Sequence, residues 1–292
     1  MEYRYFDRDI SWLSFNERVL LEAAKDDVPL LERINFLSIY SSNLDEFYRV
    51  RIPALMALQK IKKEKDKHAG KLLEEATGKV QQQLEKYGDI LTRQLIPLLK
   101  EKAVHLIYKE PIPENIKNAT QEYFLSQVLA FLQPVRLSAA GNFFPENNRL
   151  YIAAMLEEKD EERTWIINIP SGQLPRFFDT ETDGTRYIVF IDDIIKENLP
   201  FIFPGAHVKG AYSFKITRDA ELDLQDEYEG DIAVKIEKQI AKRDQGFATR
   251  FLYSPGMPEQ LLTQLISAFN LTNATVVEGG MYHNLKDFSG FP

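Results

Sequence analysis

The chain of 292 residues contains no cysteine, which excludes disulfides, thiolate metal sites and cysteine nucleophiles and fits a reducing compartment. Its four histidines stand at 68, 105, 207 and 283, too scattered for an H-E-x-x-H or similar ligand set. No apolar run approaches the roughly 20 residues that cross a bilayer. The opening MEYRYFDRDI lacks a basic-then-apolar export signal, so the expected address is cytoplasmic, with peripheral membrane association left open. A formal net charge of -8 gives no general attraction for nucleic acid, although a local basic groove can still bind a polyanion.

Several motifs are also missing. No G-x-x-x-x-G-K-[ST] loop occurs; Gly70-Lys71 and Gly78-Lys79 lie in charged helical contexts. Neither G-x-G-x-x-G nor G-x-S-x-G is present, which removes the common dinucleotide cradle and the hydrolase nucleophile elbow. Asp219, Glu221 and Asp223 alternate in ITRDAELDLQDE but lack the glycine turn and terminal glutamate of a calcium loop. They read as a solvated strand face or charged turn.

What is present divides at a change of texture. From Ser11 to about Lys102 the pattern is helical. Trp12, Phe15, Val19 and Ala23 recur at helical spacing and predict one buried face, with Ser11 or Ser14 as cap and Ser14-x-x-Glu17 as a capping box. Pro29 predicts the opening of a second helix running toward Tyr40. There a polar island, Ser41, Ser42, Asn43, Asp45 and Glu46, interrupts the apolar run before Phe47. Asn43 three residues before Glu46 predicts a cap and a third helix, with Asp45 and Glu46 in a first turn that favours acids. Arg49 and Arg51 can face phosphates or pair with Asp45, Glu46 or Glu32. The lysine run QKIKKEKDKHAGK joins two arms of a helical hairpin, as a solvated face or a polyanion-facing rim.

After about Val104, strand-like runs RLYIAAML, TWIINIP, RYIVFID and FATRFLY alternate with helices at ENIKNATQEYFLSQVLAFL and MPEQLLTQLISAF. The expected architecture is an all-helical domain, 1–104, followed by an α+β domain, 105–292, with the boundary region near Pro111 and Pro113. Gly279-Gly280, His283 and Lys286 cluster in EGGMYHNLKDF. Two glycines can offer N–H groups to an anion, but His283 lacks an H-x-K partner and reads as a structural histidine.

The string ISWLSFNERVLLEAAKDDVPLLERINFLSIYSSNLDEFYRVRI closely resembles the opening of the bacterial long-chain polyphosphate kinases, and IPSGQLPRFF, ITRDAELDL, RFLYSPGMP and GGMYHNLKDFSGFP agree later in the same order. The resemblance covers essentially the whole chain. It implies a phosphotransferase that reversibly moves the terminal phosphate of ATP to inorganic polyphosphate through a phosphohistidine. It also implies a helical N-terminal domain, a middle domain used in dimerisation, and two C-terminal phospholipase-D-like domains that carry the phosphohistidine and the magnesium ligands. The expectation is therefore a non-catalytic, truncated half, inactive alone, whose partners are ATP or ADP, polyphosphate, a second copy and its own C-terminal domains. Nucleic acid and a transmembrane segment are not expected.

The resemblance places Asn43 at the adenine side of ATP and makes Arg51 a secondary nucleotide-binding choice. No residue receives a catalytic or metal role, and magnesium is expected only through ligands outside the chain. A carboxamide has one acceptor and two donors, which suits an adenine edge; Phe36, Tyr40 or Phe47 can supply apolar surface beside it. The rival from another class is a non-catalytic α+β interaction module that binds a protein or polyanion.

Overall fold

The first helix, α1 (Arg8–Glu22), starts at Asp7, whose Oδ1 accepts from the backbone N–H of Asp9 at 2.8 Å and of Ile10 at 3.1 Å. The serines are inside the helix and bond back one turn, Ser11 to the Asp7 carbonyl and Ser14 to that of Ile10. The cap is therefore the aspartate upstream, and the Ser14–Glu17 box does not form. The buried stripe is Asp9, Leu13, Asn16 and Leu20, continuing to Ala23. It lies one residue round from the Trp12, Phe15, Val19 face expected, and Phe15 is 55% exposed. The computed structural model describes residues 6–61, 68–138, 143–159, 161–219 and 247–292.

α2 (Leu30–Ile61) is one unbroken helix of 32 residues, about 48 Å long at the usual rise. The polar island does not interrupt it. Tyr40, Leu44, Phe47 and Tyr48 keep the buried stripe in phase through the island, while Ser42 and Glu46 take the solvent side. Serine and asparagine cost only some tenths of a kcal/mol each inside a helix, whereas a buried Leu or Phe contributes about 2 kcal/mol. Burial wins, so Asn43 starts no helix, and Asp45 and Glu46 occupy no first turn.

α3 (His68–Asp89) continues through a π-helical turn, Ile90–Leu95, into α4 (Ile96–Glu101). Most of the lysine run falls on residues whose side chains lie outside the described set. Buried polar groups tie the three long helices together. Gln83 of α3 donates to the Leu13 carbonyl at 3.0 Å and accepts from the Tyr40 hydroxyl at 3.2 Å. Arg33 donates to the Ala23 carbonyl at 2.7 Å, satisfying the C-terminal end of α1, and to Gln94 at 2.8 Å. The short 3-10 turn Leu285–Gly290 belongs to this same unit, where the Ser38 hydroxyl of α2 donates to the Lys286 carbonyl. One compact unit thus takes the chain up to Leu106 together with Leu285–Phe291, and the second is Ile107–Asn284. The strand β1 (Val104–Ile107) carries the chain from one to the other.

The second unit is α+β, as the alternating texture predicts. Its main sheet has the order β2-β4-β3-β7-β8-β9, from β2 (Val135–Arg136), β3 (Leu150–Glu158), β4 (Glu161–Ile169), β7 (His207–Arg218), β8 (Ala248–Tyr253) and β9 (Thr275–Glu278). Neighbours are antiparallel except β8 and β9. Those two flank α7 (Glu259–Ala268), the crossover that a parallel pair requires. Alternate residues of β3 feed two cores. Leu150, Ile152, Ala154 and Leu156 join Ile116, Phe124 and Ile194 on one side; Tyr151 and Ala153 join Phe214, Phe251 and Leu265 on the other. Hence RLYIAAML is a continuous apolar run, not an alternating one. The first core also takes α5 (Glu114–Tyr123) and α6 (Ile191–Glu197). A hairpin of β5 (Phe177–Thr182) and β6 (Thr185–Phe190) turns at Asp183-Gly184, both at positive φ (53° and 71°), as a two-residue primed turn needs.

Continuity of α2 gives a direct check. Ser42→Pro should cost about 3 kcal/mol, because it removes an interior helical N–H and clashes with the preceding turn, while Ser42→Ala should be neutral or slightly stabilising. Thermal unfolding followed by circular dichroism measures both. A well-tolerated proline would mean that the helix breaks at the island.

Candidate functional site

Side-chain contacts join α1 and α2 at three successive turns of their seam. The helices run antiparallel there, so successive turns of one meet successive turns of the other. Arg51 Nε and Nη2 grip both carboxylate oxygens of Asp9 at 2.6 and 3.0 Å. One turn on, the rings of Trp12 and Phe47 stack at 5.3 Å and 14°. The next turn brings Asn43 Nδ2 to 2.9 Å from Asn16 Oδ1, while Asn16 Nδ2 donates to the Tyr40 carbonyl at 3.3 Å.

Of the residues singled out from sequence, Asn43 is half-buried on this seam, open to solvent on one side. Arg51 lies two turns away, about 12 Å along the axis, with its side chain 32% exposed and its Nε and Nη2 on Asp9. Arg49 pairs with Glu46, one of the acids expected for it, with both N–H···O contacts near 2.8–2.9 Å, and that hydrogen bond raises its already high pKa. Tyr40 and Phe47 are fully buried in the core and offer no surface to a ligand. The half-buried aromatics are Phe36 and Trp12.

Three residues of this seam escape a motif-based reading: Asp9, Trp12 as partner of Phe47, and Asn16, which has no exposure at all. Asn16 carries a usable signal. It stands three residues after Leu13 and four before Leu20, a polar side chain in register with an apolar stripe.

The second unit places the other candidates. Gly279 N–H donates to the Tyr253 carbonyl at 2.8 Å, extending the sheet rather than facing an anion. A Cβ there would lie 2.7 Å from the Leu252 side chain, which would have to shift to admit it. His283 is buried, with Nε2 3.2 Å from the Ser213 carbonyl, and burial first, then Lys215, drives its pKa down to about 3. It is a structural histidine. Beside it the guanidinium of Arg176 bridges Asp192 at 2.8 Å and the His283 carbonyl at 3.2 Å, all buried. Lys215, also buried, donates to Asn284 at 2.8 Å. Tyr282 donates to Asp193 at 2.6 Å and accepts from the Lys109 N–H at 3.2 Å. These charges fasten residues 282–284 into the unit. Asp219 ends the described part of its acidic alternation; Glu221 and Asp223 lie outside the described residues. Among the described residues no group of three or more His, Asp or Glu is placed to hold a metal, and no helix is long and apolar enough to cross a membrane.

A sequence model of the polyphosphate kinase N-terminal domain matches residues 5–107, and one of the polyphosphate kinase middle domain matches 115–291. Polyphosphate kinase of Vibrio cholerae is 35% identical over 302 residues, covering 99% of this chain and 42% of its own length. That of Escherichia coli K12 is 33% identical, covering all of this chain and 44% of its own. The crystal structure of polyphosphate kinase from Porphyromonas gingivalis superposes on the whole chain with a TM-score of 0.83 and 34% identity, over 42% of that protein. The chain therefore spans less than half the length of these relatives.

Burial pushes the Asp193 carboxyl up to about 6. A raised carboxyl lends stability that is complete below the ordinary value of 3.8 and lost as pH rises through about 6. Asp193→Asn, which still accepts from Tyr282, should remove that loss, so the variant should gain on the wild type by roughly 2–3 kcal/mol between pH 4 and 7. Melting curves across this range test it; a constant difference would mean that Asp193 titrates normally.

Proposed function

Because this chain belongs to the polyphosphate kinase family, we propose that it forms the nucleotide-side, non-catalytic part of an ATP:polyphosphate phosphotransferase. The whole enzyme transfers the terminal phosphate of ATP reversibly to inorganic polyphosphate through a phosphohistidine. That histidine and the magnesium ligands are assigned to phospholipase-D-like domains outside this chain, and the chain alone is inactive. The second unit serves in dimerisation.

One observation carries the assignment of the nucleotide side. Asn43 is a half-exposed carboxamide, held on its inner side, in a helix pair whose neighbouring turns meet in an aromatic stack and a bidentate ion pair. Polar side chains kept at a packed helix interface and left open on one side are suited to orient a ligand. Adenine combines an apolar face with a hydrogen-bonding edge, and Asn43 meets the edge. The apolar surface comes from Trp12 and Phe36, not from the core rings of Tyr40 and Phe47. Arg51 stands at the phosphate end of the same nucleotide, its guanidinium oriented by Asp9.

The test is the nucleotide affinity of the whole enzyme. Asn43→Ser and Asn43→Asp should each weaken apparent ATP affinity about tenfold, the scale of one or two lost hydrogen bonds. Unchanged affinity in both would remove Asn43 from the nucleotide site.

A further inference from the structure

We propose that Asn16 is a positioning residue that fixes which way round the Asn43 amide faces, so that the site selects a base bearing an exocyclic amine over one bearing a carbonyl at that position. This rests on the nucleotide reading above.

The orientation follows from donor and acceptor roles. The Tyr40 carbonyl can only accept, so Asn16 must turn its NH2 group toward it. The carbonyl oxygen of Asn16 is then on the opposite side and can only accept, so Asn43 must offer it an N–H. Rotating either amide by half a turn would set oxygen against oxygen or N–H against N–H. Asn16 is completely buried, so water cannot repair such a mismatch. Nor can the helices slide to relieve it. The Asp9–Arg51 fork, the Trp12–Phe47 stack and the Gln83 bridge from the Leu13 carbonyl to the Tyr40 hydroxyl hold both helices at neighbouring turns.

With one N–H committed inward, Asn43 presents its carbonyl oxygen and its remaining N–H outward in a fixed order. Among the described residues no group donates to that oxygen. A 6-aminopurine edge sets an N–H donor beside the N7 acceptor and matches that order. A 6-oxopurine sets two acceptors there, so its oxygen opposes that of Asn43. An unrestrained asparagine would rotate and donate to the 6-oxo group instead. Asn16 prevents this, although it touches no ligand.

The probes are ATP, inosine triphosphate and purine riboside triphosphate, which carries only hydrogen at position 6, all tested on the whole enzyme. A locked amide predicts KM in the order ATP, then the 6-hydrogen nucleotide, then inosine triphosphate, because opposed oxygens are worse than a missing bond. About tenfold should separate the extremes. In Asn16→Leu, which keeps the α1 stripe apolar, the ratio of the KM for inosine triphosphate to the KM for ATP should fall toward one. Inosine triphosphate binding as well as or better than the 6-hydrogen nucleotide in the unmutated enzyme overturns the lock without needing the variant to fold. So does a folded Asn16→Leu with an unaltered ratio. If instead Asn43→Ser leaves ATP affinity untouched, the base assignment itself falls.

Discussion

The amide of Asn16, buried with no exposure between two helices, is the interaction on which the helical unit is organised. A buried carboxamide is tolerated only when its donor and its acceptor are both used. Here the donor goes to a backbone carbonyl of α2 and the acceptor takes an N–H from Asn43. Apolar side chains alone would let α1 and α2 settle in several registers; two directional bonds select one. The same register is held at the neighbouring turns by Asp9 with Arg51 and Trp12 with Phe47. Directional contacts at successive turns of this seam thus define the helix pair and leave one half-exposed amide at its edge.

The second unit uses buried charge differently. Arg176, Asp192, Lys215 and His283 are all buried and bonded to each other's neighbours or to backbone. Burying ionisable groups is expensive unless each is paired, and these pairings pin residues 282–284 against the β7 strand and α6. His283, kept neutral by burial, and Asp193, pushed toward neutrality, move stability in opposite directions with pH. Such groups can suggest chemistry in a sequence, yet their geometry is that of fasteners. A division of labour, with reaction chemistry elsewhere and nucleotide orientation here, fits the proposed place of this chain in the larger enzyme.

Much of this architecture was legible in the sequence where one signal dominates. The change from helical to strand-like texture near residue 104 is visible because strands such as β3 and β4 are long apolar runs, and the S-W-L-x-F-N-E-R and S-x-N-L-D-E-F strings carry the family. Less legible were features set by tertiary contact. The island at 41–46 looks like a helix boundary because Ser, Asn and Asp favour caps, yet the phase of Tyr40, Leu44 and Phe47 on either side overrides that local preference. The α1 face is rotated by one residue because a buried asparagine and aspartate replace two apolar positions. β7 is obscured for the same reason, since Ser213, Lys215 and Thr217 are all buried within it. Polar residues whose bonds are satisfied far away in the chain look like surface until the partner is known.

The most direct measurement is the structure of the whole enzyme with a nonhydrolysable ATP analogue bound. The account predicts the Asn43 carbonyl oxygen within hydrogen-bonding distance of the exocyclic amine of the base, with its N–H still on Asn16. A base bound elsewhere, or an Asn43 turned away from Asn16 to meet it, would contradict the account.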